Sequence, residues 1–227
     1  MAKGEIDQEI AVNPIAQNKN RTYATDMRGI SPLGQQGPVQ KFLEIENRRI
    51  KEGPHDDEDV QGLCVDNFIV QVRNNAELVI VRIKQVMLLM NEFGLNKTWP
   101  SIEMWQGLLP AWFVEKCDPE RSPGENKRNY LEDRLLSWED KVAKWEAEKY
   151  TVGDWELDMA PDVREWLWWD FKIRGPDTLL VAIDRLTDIY PEIPGEFEWL
   201  LTACGGEDIG SLDYAKENDF FPTKRKG

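Results

Sequence analysis

The chemistry open to this chain is limited first by its one histidine, His55, in the run His55-Asp56-Asp57-Glu58. That run could bind a divalent cation loosely. Its plainer reading is a solvated connector whose acids favour the start of the next helix. It lacks the glycine and terminal glutamate of an EF-hand loop. With one histidine, neither the HExxH pairing of a zinc site nor the ExxH pairs of a di-iron bundle can be written. Ser-His-Asp and Cys-His arrangements would have to use His55 as their base, and no GxSxG elbow is present. Gly34-Gln35-Gln36-Gly37 has no Gly-Lys-Ser/Thr after it and no strand before it, so it is not a phosphate loop. Gly205-Gly206 reads as the end of a helix.

Carboxylates recur at heptad spacing at Glu132, Glu139 and Glu146, with Asp133 and Asp140 beside the first two. Paired carboxylates do acid–base work only from a dry cleft. Among so many lysines and arginines they are expected to be exposed, ion-pairing residues. Cys64, Cys117 and Cys204 are far apart, odd in number and form no CxxC pair. They read as buried thiols of a reducing compartment. No catalytic residue, no cofactor and no metal ligand is predicted, and the chain is not expected to be an enzyme.

Recognition is the use that the aromatic residues suggest. The chain has ten tryptophans. Trp105, Trp112, Trp138 and Trp145 fall on apolar stripes and are expected in the core, and Trp166, Leu167 and Trp169 can also face inward. Read on a helix, Trp168 aligns instead with Glu165 and Lys172, which makes it a candidate anchor for another chain. The alternative is that a second element covers it. Tyr214, Phe220 and Phe221, ahead of Lys224-Arg225-Lys226, form a candidate docking peptide whose basic end would meet an acidic surface; the alternative is a frayed tail.

The net charge is −14, and it is unevenly placed. Residues 1–53 carry eight Lys/Arg and seven Asp/Glu, against 20 and 35 in the remainder, so the acidity belongs to the body. Such a field repels phosphate backbones and anionic lipid and favours basic partners. Direct nucleic-acid binding and membrane association are therefore not expected. The first nine residues contain no apolar signal-peptide core, and the apolar stretches, broken by Arg82 and Lys84, are too short to span a bilayer. A cytoplasmic location follows as the expectation.

The elements that would position these residues are read from apolar spacing. Residues 1–37 are polar, without periodicity, and read as an extended arm; 38–204 form the domain; 205–227 read as a tail. Pro38 opens a short helix running to Lys51. Val65, Ile69, Val72, Ala76, Val79, Ile83, Val86 and Met90 step 4-3-4-3-4-3-4, which predicts one long helix over about 60–93, roughly 50 Å in length, ended by Gly94. The competing reading is a β-hairpin pairing Phe68–Val72 with Leu78–Ile83 around Asn74-Asn75. Short helices are expected at Ser101–Leu108 and Pro110–Cys117, and an amphipathic helix along Leu131, Leu135, Trp138, Val142 and Trp145. Further helices are expected from Pro161 to Gly175, through Leu179, Ile183, Leu186 and Tyr190, and over Gly195–Cys204.

The expected fold is all-α, an irregular antiparallel bundle around the long central helix, with extended N- and C-terminal arms. The expected function is that of a non-enzymatic interaction or assembly subunit bound to other protein chains in a larger complex, such as a structural component of a virion. An acidic regulator that mimics nucleic acid at a basic partner surface is the alternative.

Overall fold

The computed structural model describes residues 39–62, 64–73, 75–187 and 193–212. The first helix, α1 (Val39–Glu52), lies where the sequence places it. Beyond it the expected bundle is overturned: the described residues form eight helices and a four-stranded antiparallel sheet, a mixed α/β fold. The long central helix is cut at residues 73–75. Its first part is β1 (Cys64–Val72), in which Phe68, Val70 and Val72 turn one way at period two while Val65 packs with Trp169 and Ala182 in a separate cluster. Its second part is α2 (Ala76–Leu95), started by Asn75, whose side chain accepts the Leu78 N–H at 2.9 Å. Ala76, Val79, Ile83, Val86 and Met90 do line the buried side of α2. The hairpin alternative fails as well, because Leu78–Ile83 is helix and β1 pairs elsewhere.

Short helices α3 (Ile102–Leu108) and α4 (Ala111–Val114) follow as expected. The predicted amphipathic helix is two helices, α5 (Pro123–Asp133) and α6 (Trp138–Ala147). Then comes α7 (Val152–Met159), capped by Thr151, in a segment for which the apolar spacing predicts no helix. The two segments expected to be helical around Gly175 are strands, β2 (Trp166–Ile173) and β3 (Thr178–Arg185). Leu179–Ile183 is a continuous apolar run buried throughout, and such a run satisfies helical and strand spacing equally.

The sheet order is β2-β3-β1-β4, with β4 (Gly206–Ser211) following α8 (Gly195–Cys204). Gly205 makes that turn at φ +118°, a left-handed conformation that glycine adopts without strain. Residues 206–211 therefore belong to the sheet, paired with β1, and the domain does not end at Cys204. In β2 the pairing slips at Trp169: Trp168 opposes Ile183, Asp170 opposes Ala182, and Trp169 is the extra residue. Trp168 and Trp169 point to opposite faces by ordinary strand alternation, and the bulge returns Phe171 and Ile173 to the side of Trp166 and Trp168.

That side carries the main core. Phe68, Val70, Leu179, Val181 and Ile183 of the sheet meet Val79, Ile83 and Met87 of α2 and Phe197, Leu200 and Leu201 of α8. Each large apolar side chain buried there contributes about 1.5–3 kcal/mol before entropy is counted. α1 packs against both β2 and α2, with Phe42 in a small cluster with Leu167 and Leu186.

Candidate functional site

Charged side chains are concentrated in two places of opposite character. The first is buried where α1 meets β2. Glu46 of α1 spends both carboxylate oxygens: Oε1 accepts the Trp168 N–H at 2.6 Å, and Oε2 accepts from Asn91 at 2.8 Å and Arg164 at 2.5 Å. Arg49, one helical turn on, donates to the Trp168 carbonyl at 3.4 Å, to Asp184 at 3.3 Å and to Glu58 at 2.6 Å, with its guanidinium 4.2 Å above the Trp169 ring. Asp184 in turn accepts the N–H groups of Gln61 and Gly62 at 2.7 and 2.9 Å. Gly62 must be glycine here, since a Cβ would stand 2.0 Å from the Arg185 carbonyl oxygen.

Burial holds the Asp184 carboxyl above its ordinary range, although Arg49 and the two N–H groups pull the other way. Every oxygen of Glu46, Asp184 and Glu58 has a donor within the fold. The arrangement therefore clamps α1 and the 53–62 connector to the sheet edge and leaves no carboxylate aimed at a ligand. The sequence offered no sign of it, because Glu46, Arg49, Arg164 and Asp184 come from three distant segments.

The residues singled out from the sequence are dispersed. His55 Nε2 lies 3.6 Å from Glu52, and its backbone N–H donates to Glu58. Among the described residues, no three His, Cys, Asp or Glu side chains converge as a metal site. Burial pushes the Cys117 thiol up to about 11 and raises Cys204 too, so neither is a ready thiolate at neutral pH. Asp133 is tied to Lys144 at 2.6 Å, and Asp140 accepts the Ser137 hydroxyl at its carboxylate while donating its own N–H to the Ser137 oxygen. Trp168 is wholly buried on the inner face of β2. Its expected exposure came from placing it on a helix; strand geometry puts it beside Trp166 instead, away from any partner surface. Tyr214, Phe220 and Phe221 lie outside the described residues.

The second concentration is the α5–α6 limb. Its neck is closed by Asp118 and Thr151, which form a parallel bridge, with the Asp118 N–H on the Tyr150 carbonyl at 2.9 Å, the Gly153 N–H on Glu120 at 2.8 Å and Arg121 3.4 Å from Glu148. Between those ties the chain leaves the body and returns. Ser122 starts α5 with a reciprocal capping box to Glu125, and Ser137 starts α6 by accepting the Asp140 N–H. Asp133 is the one buried residue of α5. Around the turn between the two helices stand Tyr130, Leu131, Leu135 and Trp138, which are 47, 50, 87 and 47% exposed.

No family model, curated protein or solved structure matches this chain. The limb is therefore judged on its own chemistry. Leu131, Leu135 and Trp138 were expected to face a core as part of one helix; the break at 134–137 leaves them outward. The signal that reveals it is the repeat of Ser-x-x-acid at Ser122/Glu125 and Ser137/Asp140, each of which begins a helix.

Proposed function

We propose that this chain is a non-enzymatic interaction or assembly subunit, and that the α5–α6 limb is the element by which it holds another protein chain. The observation that carries the reading is the cluster of Tyr130, Leu131, Leu135 and Trp138 at the turn of a limb whose described apolar side chains are not among the buried core. Scattered exposed apolar residues are ordinary, whereas an aromatic pair with two leucines within nine residues fits a docking surface. The capping box of α5, the Ser137 cap of α6 and the Lys144–Asp133 pair give the limb a defined shape before any partner arrives, which lowers the ordering cost of binding.

A cytoplasmic setting agrees with three cysteines that form no disulfide, and no described helix is long and apolar enough to cross a membrane. The test is co-purification of the full chain from the cells that make it, comparing the natural sequence with Leu135→Asp. Identified partner chains should be retained by the first and lost by the second at equal thermal stability. Partners retained in full by Leu135→Asp would place the binding surface elsewhere. The acidic-regulator alternative makes a different forecast: its complexes should weaken steeply with added salt, whereas an aromatic-anchored interface responds mildly.

A further inference from the structure

One edge of the sheet is closed by a helix rather than by a strand. β2 stands last in the order β2-β3-β1-β4, so alternate residues turn their N–H and C=O away from β3. The Arg174 N–H bonds the Thr178 carbonyl at 3.0 Å, which places Ile173 and Phe171 among the outward positions. At Trp168 the outward groups have partners on α1: the N–H donates to Glu46, and the C=O accepts from Arg49. A helix has no free backbone groups along its side, so only its side chains can meet a strand edge. A carboxylate that accepts and a guanidinium that donates, one helical turn apart, supply for Trp168 what a neighbouring strand would.

Both side chains are fixed from behind. Glu46 and Arg49 are buried, Glu46 against Arg164 and Asn91, Arg49 against Asp184 and Glu58. Loss of either leaves a buried charge of the opposite sign without its counter-charge, and water reaches that charge when α1 moves away. Release is therefore favoured over a half-seated helix. α1 follows β2 for only part of its length. It ends at Glu52, and a Cβ on Gly53 would stand 3.8 Å from the Asp170 carboxylate. Ile173, farther along the strand, is 39% exposed. The edge continues past the end of the helix and offers a second strand its first foothold.

We infer that α1 is an edge strap: latched by Glu46 and Arg49 it stands in for a strand beside β2, and unlatched it yields that place to the β2 edge of a second copy of this chain. A single edge pairs with itself antiparallel about a two-fold axis, each copy's outward donors facing the other's acceptors. No further sequence is needed, which makes a second copy the fitting occupant. The strap is independent of the α5–α6 limb, and the failure of either leaves the other standing.

Sedimentation velocity of the full chain at about 5–100 µM tests this with Glu46→Ala and Arg49→Ala, which change the net charge in opposite directions. Both variants should self-associate about tenfold or more tightly than the natural chain, as a few regained hydrogen bonds per contact allow. Adding Ile173→Pro to either should abolish the gain, since proline removes an outward N–H, costs no bond to β3 and blocks a strand alongside. Phe197→Ala, a core truncation on α8 that leaves the strap seated, should unfold more readily without associating. Near-ultraviolet circular dichroism shows whether each variant is folded. Folded variants no more associated than the natural chain, association that survives Ile173→Pro, or equal association of Phe197→Ala overturns the inference. Loss of the fold in both Glu46→Ala and Arg49→Ala assigns the pair to cohesion alone and overturns it as well.

Discussion

The sheet face around Trp168 and the limb around Trp138 treat the same side chain in opposite ways. Trp168 is fully enclosed, with Ile183 opposite on β3 and its backbone held by Glu46 and Arg49. Trp138 opens α6 and leaves nearly half of its surface to solvent. The body spends aromatic area on its own cohesion, and even its buried charges are matched oxygen by donor. The limb is closed at the neck by local ties and, among its described residues, exposes Tyr130, Leu131, Leu135 and Trp138. A protein that needs all its hydrophobic surface to fold has no reason to build the second region. Its existence is the physical argument for a partner.

Truncating the two tryptophans is the sharpest way to break that comparison. Trp168→Ala should cost about 3–5 kcal/mol of unfolding free energy, because the sheet cannot collapse into the space left. Trp138→Ala should stay within about 0.5 kcal/mol. Urea unfolding of both variants measures the contrast, and equal losses would show that the limb is part of the core after all.

Glu46→Gln should come next, at about 3 kcal/mol, since it leaves Arg164 buried without its counter-charge and presents an amide donor to groups that are themselves donors. The same experiment on the limb, Asp133→Asn opposite Lys144, should cost no more than about 1 kcal/mol because that pair is partly solvated.

The smallest effect is a pH dependence. Asp184 has a raised folded pKa, so the fold favours its protonated form. The penalty for ionising it is absent below the unfolded value and is complete once pH has risen through the folded value. The stability of the natural chain relative to Asp184→Asn should therefore increase as pH is lowered from neutral towards the ordinary carboxylate range. Urea melts at neutral and mildly acidic pH check the sign, and a relative loss on acidification would mean that Arg49 outweighs burial.

Parts of this architecture were legible in the residues. The short helix read as running to Lys51 is α1, Pro110 marks the start of α4, and Gly205 the end of α8. The sheet was not legible. Aliphatic residues spaced 4-3 from Val65 to Met90 fit a helix, yet β-branched residues in β1 satisfy that spacing by coincidence while Phe68, Val70 and Val72 pack at period two. Trp166-Leu167-Trp168-Trp169 shows no polar alternation because both faces of β2 are buried there, and the bulge then changes the phase for the rest of the strand. The caps Asn75, Ser137 and Thr151 stood in plain view, and weighing them above periodicity would have divided the long helices correctly. The limb was missed for the same reason: an apolar stripe predicts burial only when something packs on it.

Amide hydrogen exchange on the full chain tests the central claim most directly, namely that residues 121–149 stand energetically apart from the body and present a surface for another chain. In dilute solution the amides of α5 and α6 should exchange through local opening, far faster than those of β1 and β3, which require global unfolding. With a partner chain recovered by co-purification bound, protection should rise around 130–138 and nowhere in the sheet. Limb amides as slow as those of β3, with no response to that partner, would contradict the account.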